Sequence, residues 1–113
     1  MKIVNLTGSE VRIANDEGVV IATFPSHHRA RPVTEYVDHK MVDADGIQIP
    51  LKNRTIVDLG LPEPAEDTIY LVNPYYIGMG VNRDDIYTPV AVRYDIIDNI
   101  RYNLGYKGIM RIK

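Results

Sequence analysis

Cysteine and tryptophan are both missing from this chain, and phenylalanine occurs once. Without cysteine there is no disulfide, no thiolate metal ligand and no cysteine nucleophile. No apolar run approaches the roughly 20 residues that cross a bilayer as a helix. The opening Met1-Lys2-Ile3-Val4-Asn5 enters a strand pattern directly, unlike a secretory leader. The expectation is a protein of a reducing cytoplasm with no membrane partner.

The phosphate-cradling and nucleophile motifs are missing as well: there is no P-loop, no Gly-x-Gly-x-x-Gly and no Gly-x-Ser-x-Gly elbow. His27, His28 and His39 have no helical metal-ligand spacing, and adjacent His27 and His28 point to opposite sides when extended. Asp43-x-Asp45-Gly46 resembles the start of a calcium loop, but Arg54 stands where the loop needs a bidentate glutamate. No metal, no cofactor and no enzymatic activity is expected. The enzyme alternative is a phosphodiesterase-like reaction using His27 or His28.

Charge is divided along the chain. Residues 1–92 carry 8 Lys/Arg against 13 Asp/Glu, while residues 93–113 carry 5 against 2. The strong basic field of a duplex-DNA binder is lacking.

What the chain does have is β patterning punctuated by turns. Short apolar or alternating segments at Lys2–Leu6, Glu10–Ala14, Val33–Val42, Thr68–Asn73 and Ile86–Tyr94 read as strands. Val19–Phe24 is a continuous run that predicts a strand covered on both faces. Val33, Val37 and Met41 are expected on one strand face, and Pro50 marks an edge strand. Arg54–Leu59 reads as a separate short strand, and Ile100–Leu104 with Gly108–Ile112 as a closing pair. Asn73 followed by Pro74 suits a helix start, with two glycines limiting the helix to Pro74–Val81. The fold class is mainly β (α+β): one compact antiparallel sheet or barrel-like domain over residues 1–113, with about seven to nine strands and one short helix.

Several of these segments, taken in order, carry a resemblance. Ile3–Thr7, the Pro25–Arg31 loop, the Gly60-Leu61-Pro62-Glu63-Pro64 turn, the Ile69–Val72 strand and the Arg83–Pro89 segment follow a shared pattern. It is similar to that of small phage and prophage proteins of largely unassigned function. The chain departs from it at Gly8-Ser9, where those proteins carry Pro-His, and in its last 20 residues, which lack their Arg-Asp-x-x-Gly turn. The resemblance implies a phage-encoded accessory protein in a bacterial host cytoplasm. By size and context it also suggests a host-takeover or counter-defence factor, including dimeric proteins that sequester nucleotide signals.

Two groups of residues suit a small anionic ligand. Arg29 and Arg31, two apart on an extended segment, present two planar forks, with His28 as a titratable donor beside them. Arg83 and Asp85 follow the predicted helix start, where Asn73, Tyr75 and Tyr76 could cradle an anion and stack a base. The plain alternative in both cases is a structural ion pair. The expectation is a nucleotide-like ligand bound without chemistry by Arg29, Arg31, His28, Asn73, Tyr75, Tyr76, Arg83 and Asp85. The rivals are a protein-binding inhibitor or assembly factor acting on a host protein, and a single-strand nucleic-acid binder using Tyr94, Tyr102 and Tyr106 among Arg93, Arg101, Lys107 and Arg111. An edge strand and eight tyrosines further predict a homodimer.

Overall fold

The computed structural model describes all 113 residues. They form eight strands: β1 (Lys2–Asn5), β2 (Val11–Ala14), β3 (Val20–Phe24), β4 (Val33–Ala44), β5 (Ile47–Asp58), β6 (Thr68–Leu71), β7 (Ile86–Ile97) and β8 (Ile100–Arg111). The chain divides into two compact units, one of residues 1–30 with 62–113 and one of residues 31–61. The predicted mainly β class is what the molecule adopts.

In the first unit the strands form one sheet in the order β1-β6-β7-β8-β2-β3. The β7–β8 and β2–β3 pairs are antiparallel, whereas β1–β6, β6–β7 and β2–β8 run parallel. The apolar stretch at 68–72 is central, as its composition requires: Leu71 and Val72 are fully buried, joined by Leu6, Val11, Tyr76 and Ile86. β3 is not the doubly covered strand its β-branched run predicts. It lies at the sheet edge and leaves Val19, Val20 and Ile21 exposed.

The two edges of this sheet meet. Asn5 on β1 donates from Nδ2 to the Phe24 carbonyl on β3 (2.9 Å), and the chain after β3 runs back along β1's continuation. His27 N donates to Asn5 O (3.0 Å), Ala30 N donates to Leu6 O (2.9 Å), and Thr7 pairs with Arg29. The sheet thus closes on itself in the barrel-like manner expected, with Pro25–Ala30 as the seam. Asn5 is the fastener: its Oδ1 also accepts from Thr7 N (2.9 Å) and Thr7 Oγ1 (2.7 Å), and Nδ2 reaches Ser9 O (2.8 Å).

β8 is one continuous strand along β7, not the predicted closing pair, because Gly105 lets it pass close to β2. A Cβ at Gly105 would stand 2.7 Å from Arg12 O, and its φ of +125° disfavours any side chain. The expected helix at 74–81 is a single 3-10 turn, Pro74–Tyr76, since Gly78 and Gly80 both take positive φ and end it.

The second unit is one antiparallel hairpin. Arg54–Leu59 is not a separate strand, because β5 continues unbroken from Ile47 to Asp58 against β4. Asp45 and Gly46 supply the two positive φ angles of a tight hairpin turn, 52° and 79°. At the hairpin's root Gly60 is obligatory: a Cβ there would fall 2.0 Å from Arg31 O. No residue of 31–61 is fully buried, so this unit has no core of its own.

Candidate interaction surfaces and the predicted ligand site

The residues expected to hold a small anion separate into three fates. Arg29, Asn73 and Tyr75 gather on the barrel seam. Asn73 Nδ2 (2.9 Å) and Arg29 Nε (3.3 Å) both donate to Thr7 O, and the Tyr75 hydroxyl donates to Ala30 O (2.7 Å). Their hydrogen bonds fasten loop to strand, leaving the Tyr75 ring 40% exposed and Arg29 on the surface. His28 is exposed in the same loop.

Arg83 and Asp85 form the structural ion pair that was the plain alternative. Arg83 Nε and Nη2 grip both carboxylate oxygens of Asp85, at 2.9 and 2.7 Å, and Nη1 donates to Pro62 O at 2.7 Å. Tyr70, whose ring faces the guanidinium at 6.0 Å, donates to Glu63 O (3.0 Å). Together they anchor the Pro62-Glu63 end of the proline turn. The hydrogen bonds from Arg83 hold the Asp85 carboxyl below its ordinary range against the opposing effect of burial, and the same bonds raise Arg83.

Tyr76 corrects the expectation of a base-stacking ring. It is fully buried and packs on Tyr75 with centroids 5.2 Å apart, because the single 3-10 turn points it into the core. The helix N-terminus expected to cradle an anion is reduced to three residues, and Asn73 makes no side-chain cap there. Arg31 belongs to the hairpin unit, where its carbonyl lies against Gly60.

The C-terminal tyrosines are distributed over β7 and β8 by register. Tyr94 pairs with Asn103 and Tyr102 with Asp95, which puts them on opposite faces. The Arg101 guanidinium lies 4.7 Å over the Tyr94 ring, so one of the rings that could have stacked a base is occupied by a cation–π contact.

The hairpin presents side chains that no contact within the fold occupies, Tyr36 and Met41 among them. A register shift at His39 in β4 sends Val37 and Met41 to opposite faces, where uninterrupted alternation predicts one. One face then carries Thr34, Tyr36, Asp38 and Met41 beside Ile56, Arg54, Lys52 and Pro50. Tyr36 is 73% exposed and Met41 55%. Asp38 and Lys52 form an ion pair on it, and an open groove of about 350 Å³ lies at the shift, lined by His39, Met41, Pro50 and Lys52. The other face carries Glu35, Val37, Lys40, Val42 and Ala44 beside Thr55, Asn53, Leu51, Ile49 and Ile47, aliphatic towards the tip and polar towards the root. The signal for these faces was in the alternation, but the shift that sorts them has no mark in the composition.

Compared with protein-family models, with curated proteins and with solved structures, the chain matches none. Its function is therefore argued from its own residues.

Proposed function

We propose that this is a protein-binding factor, acting by occupying a partner protein's surface with the Tyr36 face of its β4–β5 hairpin. The observation that carries the reading is that face's composition and exposure: an open tyrosine and methionine flanked by Arg54 on a long strand pair. Tyrosine, methionine and arginine are the residues enriched where proteins bind one another, since each combines contact area with a polar or polarisable handle. The groove at the His39 shift gives a partner side chain a place to seat. The resemblance to small phage proteins fits a role as inhibitor or assembly factor in an infected bacterium, a role that needs affinity and no chemistry.

A second reading, a small anionic aromatic ligand, is favoured by the convergence of Arg29, Asn73 and Tyr75 on one seam. Arg29 would meet the charge and the exposed Tyr75 ring would stack the base.

One experiment separates them. Immobilised wild-type protein and the Tyr36→Ala/Arg54→Ala variant are exposed to host bacterial lysate, and the same proteins are titrated with cyclic and linear nucleotides by calorimetry. The expected result is a protein retained by the wild type and lost by the variant, with no nucleotide heat. Nucleotide binding abolished by Arg29→Ala would overturn the protein-binding reading in favour of the ligand.

A further inference from the structure

We infer that the aliphatic face of the β4–β5 hairpin is a self-association surface, occupied by the same face of a second copy of this chain with the strands antiparallel. The inference rests on the reading of this hairpin as an interaction element. It assigns the face that reading leaves unused.

An isolated two-stranded hairpin is marginal in water, and three or more strands or a packing partner are needed for it to hold its shape. Here twelve-residue strands pair along their whole length with no fully buried residue between them. The aliphatic side chains are not scattered. Val37, Val42, Ala44, Ile47, Ile49 and Leu51 share one face, with Ile47 64% and Ile49 42% exposed. The opposite face differs in kind, with charged pairs and a proline. Towards its tip the first face resembles half of a sandwich core, while Glu35, Asn53 and Thr55 make its root polar; the other resembles a protein-binding rim.

The dimensions suit a second copy. Twelve residues at about 3.3 Å each and two strands about 4.8 Å apart make a face of roughly 40 by 10 Å. Two such faces in contact cover roughly 800 Å² in total, the size of a weak, reversible interface.

The charges select the orientation. Glu35 and Lys40 lie on the aliphatic face of the same strand, on either side of Val37. A two-fold axis in the interface, crossing the strands near Val37, lays each Glu35 over the partner copy's Lys40, twice per dimer. A two-fold running along the strands would instead lay β4 over the partner copy's β5, setting Glu35 over Thr55 and Lys40 over Leu51 with no charge pair. The antiparallel arrangement also brings each aliphatic tip, Val42 and Ala44 with Ile49 and Ile47, over the root of the other hairpin, where Val33 lies.

The test is light scattering coupled to size exclusion, with dissociation constants from sedimentation. The wild type is expected to be a dimer at micromolar concentration, and Ile49→Asp a monomer with an unchanged β circular dichroism spectrum. Glu35→Lys alone and Lys40→Glu alone should each weaken the dimer about fivefold or more, since both contacts become like-charged. The double reversal Glu35→Lys/Lys40→Glu should return it to within about twofold of wild type, which also guards against a variant that simply misfolds. A wild type monomeric at about 100 μM, roughly 100 times a 1 μM dissociation constant, would overturn the inference, as would a dimer indifferent to Ile49→Asp. Failure of the double reversal would overturn the antiparallel register. Tyr36→Ala/Arg54→Ala should leave the dimer intact, so loss of partner capture and loss of self-association are read separately.

Discussion

Replacing Asn5 with alanine should be among the most damaging single changes available in this molecule. The side chain is fully buried and makes hydrogen bonds with each of its polar atoms: Nδ2 to Ser9 O and Phe24 O, and Oδ1 from Thr7 N and Thr7 Oγ1. Truncation does not cost all four equally. The Thr7 hydroxyl can turn wholly to Ser9 O, 2.9 Å away, which keeps both of those groups satisfied. Phe24 O and Thr7 N lose the bonds Asn5 gives them, at about 1–1.5 kcal/mol each, and the vacated amide volume adds about 1 kcal/mol. The sum is about 3–4 kcal/mol, a large part of the 5–15 kcal/mol typical of a domain. The loss also falls on the contact that joins the sheet's two edges. Asn5→Asp discriminates further, because the introduced carboxyl faces two carbonyl oxygens where the amide donated. Burial there raises its folded pKa above the unfolded value, so its penalty grows as pH rises from about 4. Urea denaturation followed by tyrosine circular dichroism gives both numbers. A cost below about 1 kcal/mol for Asn5→Ala, or an Asn5→Asp variant as stable at pH 7 as at pH 4.5, would refute the fastening role.

The Arg83–Asp85 clamp and Thr88 give two further expectations. Asp85 is held below its ordinary pKa, so the pair's contribution is complete above about pH 4–5 and is lost as pH falls through the folded value. Arg83→Met should cost about 2 kcal/mol at pH 7, where it strips a partly buried carboxylate of its partner, and progressively less towards pH 2.5; a cost independent of pH would exclude the ion pair as its source. Thr88 is fully buried on β7 and its hydroxyl has no protein partner. Thr88→Val keeps the shape and removes the orphaned group, so it should raise stability by about 1 kcal/mol, or Tm by roughly 4 °C. A lowered melting temperature in differential scanning calorimetry would show that the hydroxyl is satisfied.

The positions of strands were legible where local chemistry decides them. Asp45-Gly46 and Asp98-Asn99 announce tight turns, and both take the paired positive φ angles such turns require. The apolar 68–72 segment announces a central strand and is one. What could not be read is which strands become neighbours. The parallel β1–β6 pairing joins residues more than sixty positions apart, and no local pattern encodes that partnership. β3 illustrates the same limit, since its β-branched run specifies a strand but not whether that strand lies at the centre or the edge. The His39 shift is subtler. One inserted residue inverts every side chain beyond it, so alternation read straight through assigns Met41 to the wrong face.

Most of the predicted ligand residues are engaged within the fold for a related reason. Arginines, asparagines and tyrosines stand out in a sequence because they carry hydrogen-bonding groups, and a ligand is only one possible partner for those groups. A small closed sheet has seams and turns whose backbone atoms lack ladder partners, and each must be satisfied when it is shielded from water. Asn5, Arg29, Asn73 and Tyr75 serve the seam between β1 and the 25–30 loop, while Tyr70 and Arg83 serve the proline turn. The hairpin presents the opposite case. Its ladder pairs the inward backbone groups and water meets the outward ones, so its side chains are released from fastening, and Tyr36, Met41 and Ile49 remain exposed although water is a poor solvent for them. In this molecule the distinctive polar residues mark where the fold is closed, and the ordinary aliphatic and aromatic ones mark where apolar surface is left exposed.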